Sequence, residues 1–409
     1  MRAVPASDPS PTGLAEVARA FTRLGLSAFG GPVAHLGALR AEIVERRRWC
    51  ADTHFAELVA LCQFLPGPAS SQLVFALGME RAGLAGALVA SLCFTLPSAF
   101  LMLAFAIGVA GLQGLGEAGW LHGLKVGAVA VVAHAVWGMA RSLCPDRWRR
   151  LLALAAATCL SLLSGPFAQV AVIGLGAALG LARRGLVRRD PAPDVAPPAV
   201  PGPPAGGQRA ALAALALFAA LLVVLPLAAR TFDSRALAEF DAFYRAGALV
   251  FGGGHVILPL LRAEVVPSGW LSDDLFLAGY GAVQAVPGPL FTLAAYLGAA
   301  MHPGPKAALH GLWTLWAIFL PSWLLIGGAL PFWRRLRGRP LAQAAVAGAN
   351  AAVVGLLIAA LYRPLMTEAL RTPWDNLAAL AAIALMLRAR LPAWALMPAM
   401  AAAGQWLLP

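Results

Sequence analysis

Apolar residues run along this chain in long blocks separated by short polar seams, without the strict alternation that marks half-buried strands. Six blocks precede residue 183, at 14–45, 55–79, 82–111, 119–142, 150–164 and 167–182. A polar stretch over 183–208 follows, carrying Arg183, Arg184, Arg188 and Arg189 and then a run of prolines. One unbroken block at 210–229 comes next, and six more close the chain at 236–262, 275–299, 306–330, 341–363, 373–388 and 391–408. Most blocks approach the roughly 20 residues that cross the hydrocarbon core as a helix. A membrane β-barrel would show weak alternation instead. The pattern predicts an all-α, polytopic membrane protein.

The two sets of six are related in sequence. Residues 21–44 align without gaps to 243–266, sharing Arg23/Arg245, Gly25/Gly247, Phe29/Phe251, Gly30/Gly252, Gly31/Gly253, Arg40/Arg262 and Glu42/Glu264. After a slip of one residue the match resumes through Trp49/Trp270, Asp52/Asp273, Phe55/Phe276 and Gln63/Gln284. It reaches identical tripeptides, Pro66-Gly67-Pro68 and Pro287-Gly288-Pro289, and later Leu96-Pro97-Ser98 and Leu320-Pro321-Ser322. Shared Leu and Ala mean little in apolar sequence, whereas Arg, Glu, Asp, Gln and Trp in fixed order mark an internal duplication. The expected organisation is a first repeat over 1–182, a cytoplasmic linker over 183–208, a connecting span over 209–230 and a second repeat over 231–409. Six segments plus one extra span turn the second repeat upside down, so the two are expected to be inverted-topology repeats, which place a substrate site between them near the bilayer midplane.

Charge sets the topology. The first dozen residues lack a charged-then-apolar leader, so the N-terminus is expected in the cytoplasm with the linker. The arginine-rich loops at 141–150 and 334–339 then fall inside, as the positive-inside rule asks. Arg40, Arg46, Arg47 and Arg48 would fall outside if 14–45 crossed the membrane. They return inside if 14–45 and 55–79 are re-entrant hairpins broken at Gly30-Gly31-Pro32 and Pro66-Gly67-Pro68. Four re-entrant hairpins plus nine spans are therefore expected over thirteen plain spans.

Composition changes this picture little. Of 409 residues, 60% are hydrophobic and 12% charged, which excludes a water-soluble globule. The net charge of +12 reads as cytoplasmic loop arginine rather than a nucleic-acid surface. The five cysteines form no CxxC pair, so neither a metal site nor a disulfide framework is expected.

The chemistry is expected at the breaks. Proline inside a helix removes a donor and clashes with the preceding turn, at a cost of about 3 kcal/mol. Broken backbone at membrane depth is tolerated only where protein or a wet cavity receives it. A half-helix starting after Pro68 would offer the N–H groups of Ala69, Ser70, Ser71 and Gln72, and its dipole, to an anion. The second copy would offer Leu290, Phe291 and Thr292; Ser70, Ser71 and Thr292 add hydroxyls that suit a tetrahedral oxyanion. Gly30 and Gly31, with Gly252, Gly253 and Gly254, form a second candidate pair of breaks, and Gln63 and Gln284 precede the Pro-Gly-Pro turns by about one helical turn.

Charged groups read two ways. Arg23 and Arg245 sit just before the glycine breaks and could neutralise an anion, or serve structure. Lys125 is a functional candidate by its place inside an apolar block, or a snorkelling one near its end. His134 could relay protons or be a satisfied buried histidine; His35 and His255 adjoin the breaks but do not align with each other.

The duplicated pattern of FGG, a basic/acidic pair, W-x-x-D-x-x-F and Q-x-x-PGP resembles the chromate ion transporter family, over both halves. The resemblance implies a bacterial inner-membrane exporter of chromate, driven by the proton-motive force, with sulfate as the natural competitor, and without a cofactor. Gly254 stands where the first half has Pro32, so the glycine breaks depart from strict equivalence. No P-loop, HExxH or G-x-S-x-G occurs, which leaves an enzyme without equipment and a transporter without an ATP site. A sulfate or other oxyanion uptake system, or an anion channel of the same architecture, stays open, as does pairing into a homodimer.

Overall fold

Ala82 and Gly83 leave helical backbone, Gly83 with φ of 61°, and so break what would otherwise be a 42-residue helix. That break shows how each half is built. The computed structural model describes residues 11–29, 31–110, 119–163, 166–186, 205–251, 254–333 and 339–407. Gly30, Gly252 and Gly253, most of the proline-rich linker and the arginine loop at 334–338 lie outside the described residues.

The first half runs α1 (Pro11–Ser27), α2 (Gly31–Arg40), α3 (Asp52–Phe64), the kinked α4 (Ala69–Ala110), α5 (Gly119–Leu143), α6 (Arg147–Leu162) and α7 (Pro166–Leu186). After α8 (Ala205–Thr231) the second half repeats the order: α9 (Arg235–Ala248), α10 (Ile257–Val265), α11 (Asp273–Ala285), α12 (Leu293–Met301) and α13 (Ala307–Ala329). It ends with α14 (Pro340–Ala360), α15 (Pro373–Arg388) and α16 (Ala393–Trp406). The two arms of α4 correspond to α12 and α13.

The early helices form hairpins that end where they begin. Glu16, in the first turns of α1, accepts from Arg47 and Trp49, which follow α2, and from Arg81 at the end of the first arm of α4. His54, opening α3, meets Glu80 at 2.8 Å, so α3 and that same arm also return together. The second half does likewise: His302 after α12 meets Glu239 in α9, and Trp313 donates to the Ala236 carbonyl. These closures make α1–α2, and α3 with the first arm of α4, into hairpins. The repeated charges account for themselves here. Arg40 donates to Asp52 at 2.7 Å, and the equivalent Arg262 is paired with Asp273, each locking the end of one hairpin to the start of the next.

The later helices are exchanged. α5 packs on α15 and α16 of the second half, while α14 packs on α6 and α7 of the first. Small residues permit this: Gly119 and Gly123 meet Gly404, and Gly348 meets Gly176 and Gly180, so the backbones touch. Such crossings are how membrane helices associate when lipid removes the hydrophobic drive. The halves are thereby interlocked, with the main core around α9–α13 and a second around α1–α4.

Five described segments are long and apolar enough to cross a membrane: 69–109, 119–143, 208–231, 307–332 and 340–363. The first includes the kink, so its crossing part is the second arm of α4. α6, α15 and α16 have only 16, 16 and 14 residues, short of the roughly 20 that cross the hydrocarbon core untilted. α8 is apolar all round and only 11% of its apolar window is buried, which leaves it at the lipid-facing periphery.

Candidate functional site

Gly67 and Gly288 hold the two halves together at their breaks. Gly67 N–H donates to the Val250 carbonyl at 2.6 Å, and Gly288 N–H donates to the Ala28 carbonyl at 2.8 Å. Ala28 and Val250 are equivalent positions just past α1 and α9, so each Pro-Gly-Pro turn is received by the segment beside the other half's glycine break. Both glycines need their lack of Cβ: φ is 123° at Gly67 and 97° at Gly288. A methyl at Gly67 would also sit 2.5 Å from Ser322 Oγ, and one at Gly288 would sit 2.8 Å from Ser98 Oγ. The repeated Leu-Pro-Ser motif therefore brings its serine against the opposite turn.

Gly25 and Gly247 explain how α1 and α9 come so close. A Cβ on Gly25 would lie 2.7 Å from the Phe94 carbonyl, and one on Gly247 would strike the Ile318 carbonyl, the equivalent position of α13. Pro97 and Pro321 lie one turn further along these helices.

After Pro68 the first arm of α4 begins with the N–H groups of Ala69, Ser70 and Ser71 unclaimed by helix geometry. The Gln72 N–H closes on the Pro68 carbonyl at 2.9 Å, so it is not offered, in contrast to the expectation. Ser71, Gln72 and Ser322 are 3%, 0% and 1% exposed, yet Ser71 Oγ, Gln72 Oε1 and Ser322 Oγ have no hydrogen-bond partner. Buried polar groups without partners are uncommon, and these three belong to the first turn and the serine set against it. Gln72 Nε2 braces the turn by donating to the Pro66 carbonyl at 2.7 Å. His35, 2% exposed, bridges Ser70 Oγ at 3.4 Å and the Ala28 carbonyl at 3.0 Å.

The second turn is more self-contained. Pro287, Gly288 and Pro289 lead into a short helical turn, Leu290–Thr292. Thr292 gives both its N–H and its hydroxyl to the Pro289 carbonyl, which corrects the expectation that this hydroxyl faces a ligand. Leu290 and Phe291 keep their N–H groups at the turn. Gln284 is buried with Nε2 unpartnered, whereas its equivalent Gln63 is exposed. Gly254 is buried at the start of the turn before α10; Gly31, with φ of 78°, opens α2.

The expected cations are exposed or paired with carboxylates. Arg23 is exposed on α1. Arg245 is bound by Asp241 and by both oxygens of Glu264, which neutralises its charge. Lys125, 3% exposed, donates to Asp274 at 2.5 Å, at the far end of α11 from its Pro-Gly-Pro turn. Thirteen residues of α11 correspond to about 18 Å of separation. Positive potential at the turns comes instead from helix N-termini.

The symmetric pairs differ in one respect. α11 lies closed against α5 and α16, clasped by Lys125 and Asp274. On the other side, Thr53, Ala56, Glu57, Ala60 and Phe64 of α3 line a cleft of about 510 Å³ with Trp333 and Gln343. That cleft follows α3 up to Phe64, two residues before Pro66. Ser98 and Ser322 carry no local signal beyond their place in the repeated Leu-Pro-Ser motif, and Tyr280, whose hydroxyl meets His255 Nδ1 at 2.9 Å, carries none.

A family profile described as Chromate transporter matches residues 15–181 and 237–405. A chromate transport protein of Pseudomonas aeruginosa is 31% identical over 357 residues, covering 85% of this chain and 80% of the relative. One from Cupriavidus metallidurans is 29% identical over 377 residues, covering 90% and 86%. An uncharacterized transporter of Methanocaldococcus jannaschii is 24% identical over 345 residues, covering 84% and 82%. No solved structure matches. The matches cover both halves, including the Pro-Gly-Pro turns and the serines set against them, and the chain belongs to the chromate transporter family.

Proposed function

We propose that this protein exports chromate, or a similar tetrahedral oxyanion such as sulfate, across the bacterial inner membrane by alternating access driven by the proton-motive force. The observation that carries this reading is the asymmetry of the two equivalent hairpins around one pair of turns. With the N-terminus in the cytoplasm, the cleft along α3 opens inward and the Lys125–Asp274 clasp closes the outer side. The anion enters along α3 and meets the N–H groups of Ala69–Ser71 with the Ser71 and Ser322 hydroxyls, whose donors have no other partner. Closure of α3 toward α14 and release of α11 from α5 would then expose it outward. Because each turn is hydrogen-bonded to the opposite half, movement of one half is transmitted to the other at the ligand.

Protons are assigned to His35, His134 and His255. His255 meets Tyr280, His134 lies near His255, and His35 reaches Ser70 within the anion site. A proton moving on His35 would alter the charge seen by a bound dianion directly.

The test is uptake of radiolabelled chromate into inverted membrane vesicles carrying the protein, with and without an uncoupler and excess sulfate. Accumulation abolished by the uncoupler is the expected result, and competition by sulfate sets selectivity. Flux that merely equilibrates would identify an anion channel. Uptake only in right-side-out vesicles would reverse the direction.

A further inference from the structure

Glu239, His302 and His310 come together well away from the Pro-Gly-Pro turns, where α9 begins and α12 passes into α13. We propose that they form a binding site for a divalent transition-metal ion of the zinc class. Their candidate ligand atoms all lie within 4.8 Å of one another. His302 Nε2 and Glu239 Oε1 are 2.7 Å apart, and the two imidazoles stack with centroids 3.7 Å apart. Tetrahedral zinc with bonds of 2.0–2.2 Å needs ligands roughly 3.4 Å apart, so on binding the 2.7 Å His302–Glu239 pair opens and the two stacked rings tilt toward a common point. Two imidazoles and a carboxylate, with a fourth position for water, are a donor set this class of ion favours over calcium or magnesium.

The buried carboxylate is the second, independent pointer. Glu239 is 0% exposed, and its Oε2 has no hydrogen-bond partner although Oε1 is held by His302 and by Arg235 at 2.9 Å. A fully desolvated carboxylate oxygen without a donor is costly. A metal ion coordinated there would satisfy it. Two cations oppose the site, Arg235 and Lys306, but the Arg235 side chain is 52% exposed and Lys306 is exposed, so both can turn toward solvent. The site is invisible to ligand-spacing rules because Glu239 and His302 are 63 residues apart. An ion here would fasten the start of α9 to the α12–α13 hairpin.

The experiment uses the full chain purified in detergent, stripped with a chelator and titrated with zinc chloride by calorimetry. One saturable site per chain is expected. His302→Ala and His310→Ala should each weaken it at least about tenfold, a loss that even outer-shell partners can produce. Both histidines are partly exposed, so these variants keep the buried Glu239–Arg235 pair that a change at Glu239 would disturb. Zinc should raise the melting temperature of the wild type and not of the variants. X-ray absorption on the zinc-loaded wild type should show imidazole scattering. Equal affinity in wild type and both variants, or a spectrum without imidazole, would overturn the assignment.

Discussion

Lys125 Nζ donates to Asp274 Oδ1 at 2.5 Å, joining α5 of the first half to the first turn of α11 in the second. The equivalent of Asp274 in the first half is Thr53, which cannot accept a charge-assisted bond of this kind and instead lines the open cleft. α14, which stands in the second half where α5 stands in the first, carries no basic residue, so this ion pair has no counterpart on the cleft side. The ammonium is 3% exposed and the carboxylate side chain 42%, so the lysine bears most of the desolvation.

Removing the carboxylate should release α11. Asp274→Asn leaves the buried ammonium without its counter-charge, a loss of about 1.5–3 kcal/mol for a hydrogen bond to a charged group. A cysteine placed at Gln284, buried in the closed hairpin, should then react faster with a membrane-impermeant maleimide than in the parent. Lys125→Met with Asp274→Leu should recover part of the closure, because no charge is left stranded. Unchanged labelling in Asp274→Asn would show that the pair does not hold the hairpin.

Gly67→Ala and Gly288→Ala should each strain the turn by about 1–3 kcal/mol through their positive φ, and push Ser322 or Ser98 away. Chromate flux should fall in both, and by similar factors, because the turns are docked reciprocally. A loss confined to Gly67→Ala would indicate that only the first turn holds the anion.

Ser322→Ala separates a ligand role from a structural one. Its hydroxyl is 1% exposed without a partner, so deleting it should leave thermal stability nearly unchanged or slightly raised. The KM for chromate should nevertheless rise several-fold. A fall in melting temperature with KM unaltered would remove Ser322 from the anion site.

The equivalent ion pairs should differ in worth. Arg40 and Asp52 have side chains 46% and 58% exposed, so solvent screens the pair and Arg40→Gln should barely move the melting temperature. Arg262 and Asp273 are 22% and 17% exposed, and Arg262→Gln should cost about 1–3 kcal/mol. Melting temperatures of the two variants, measured in one detergent, check the order.

The tie between α3 and the first arm of α4 should weaken with alkali. The hydrogen bond that His54 donates to the Glu80 carboxylate raises the His54 pKa above its ordinary 6.5. A raised folded value means that the stabilisation is complete below about 6.5 and is lost as pH climbs through the higher folded value. The difference in melting temperature between wild type and His54→Gln should therefore shrink from mildly acidic to alkaline pH. A constant difference would mean that His54 does not titrate against Glu80.

Much of this protein was legible in its sequence, for identifiable reasons. Lipid demands that backbone polar groups be satisfied within each segment, so long apolar blocks could only be helices. Pro-Gly-Pro and the Arg–Asp spacing were visible as duplicated because proline, glycine and charge are rare in such blocks and cannot recur in order by chance. The places of Arg245, Lys125 and Thr292 were not legible, since a residue's partner depends on which helix arrives beside it. Only packing paired Arg245 with Glu264, and only the crossing of α5 onto the second half brought Lys125 to Asp274. Ser98 and Ser322 gained their meaning in the same way, each meeting a turn nearly two hundred residues or more away in sequence. Sequence by itself determined the helices, their breaks and their duplication, because those follow from local chemistry in a medium without water. Tertiary structure decided which half received which turn and which hairpin closed, because those rest on contacts between segments that share no local signal.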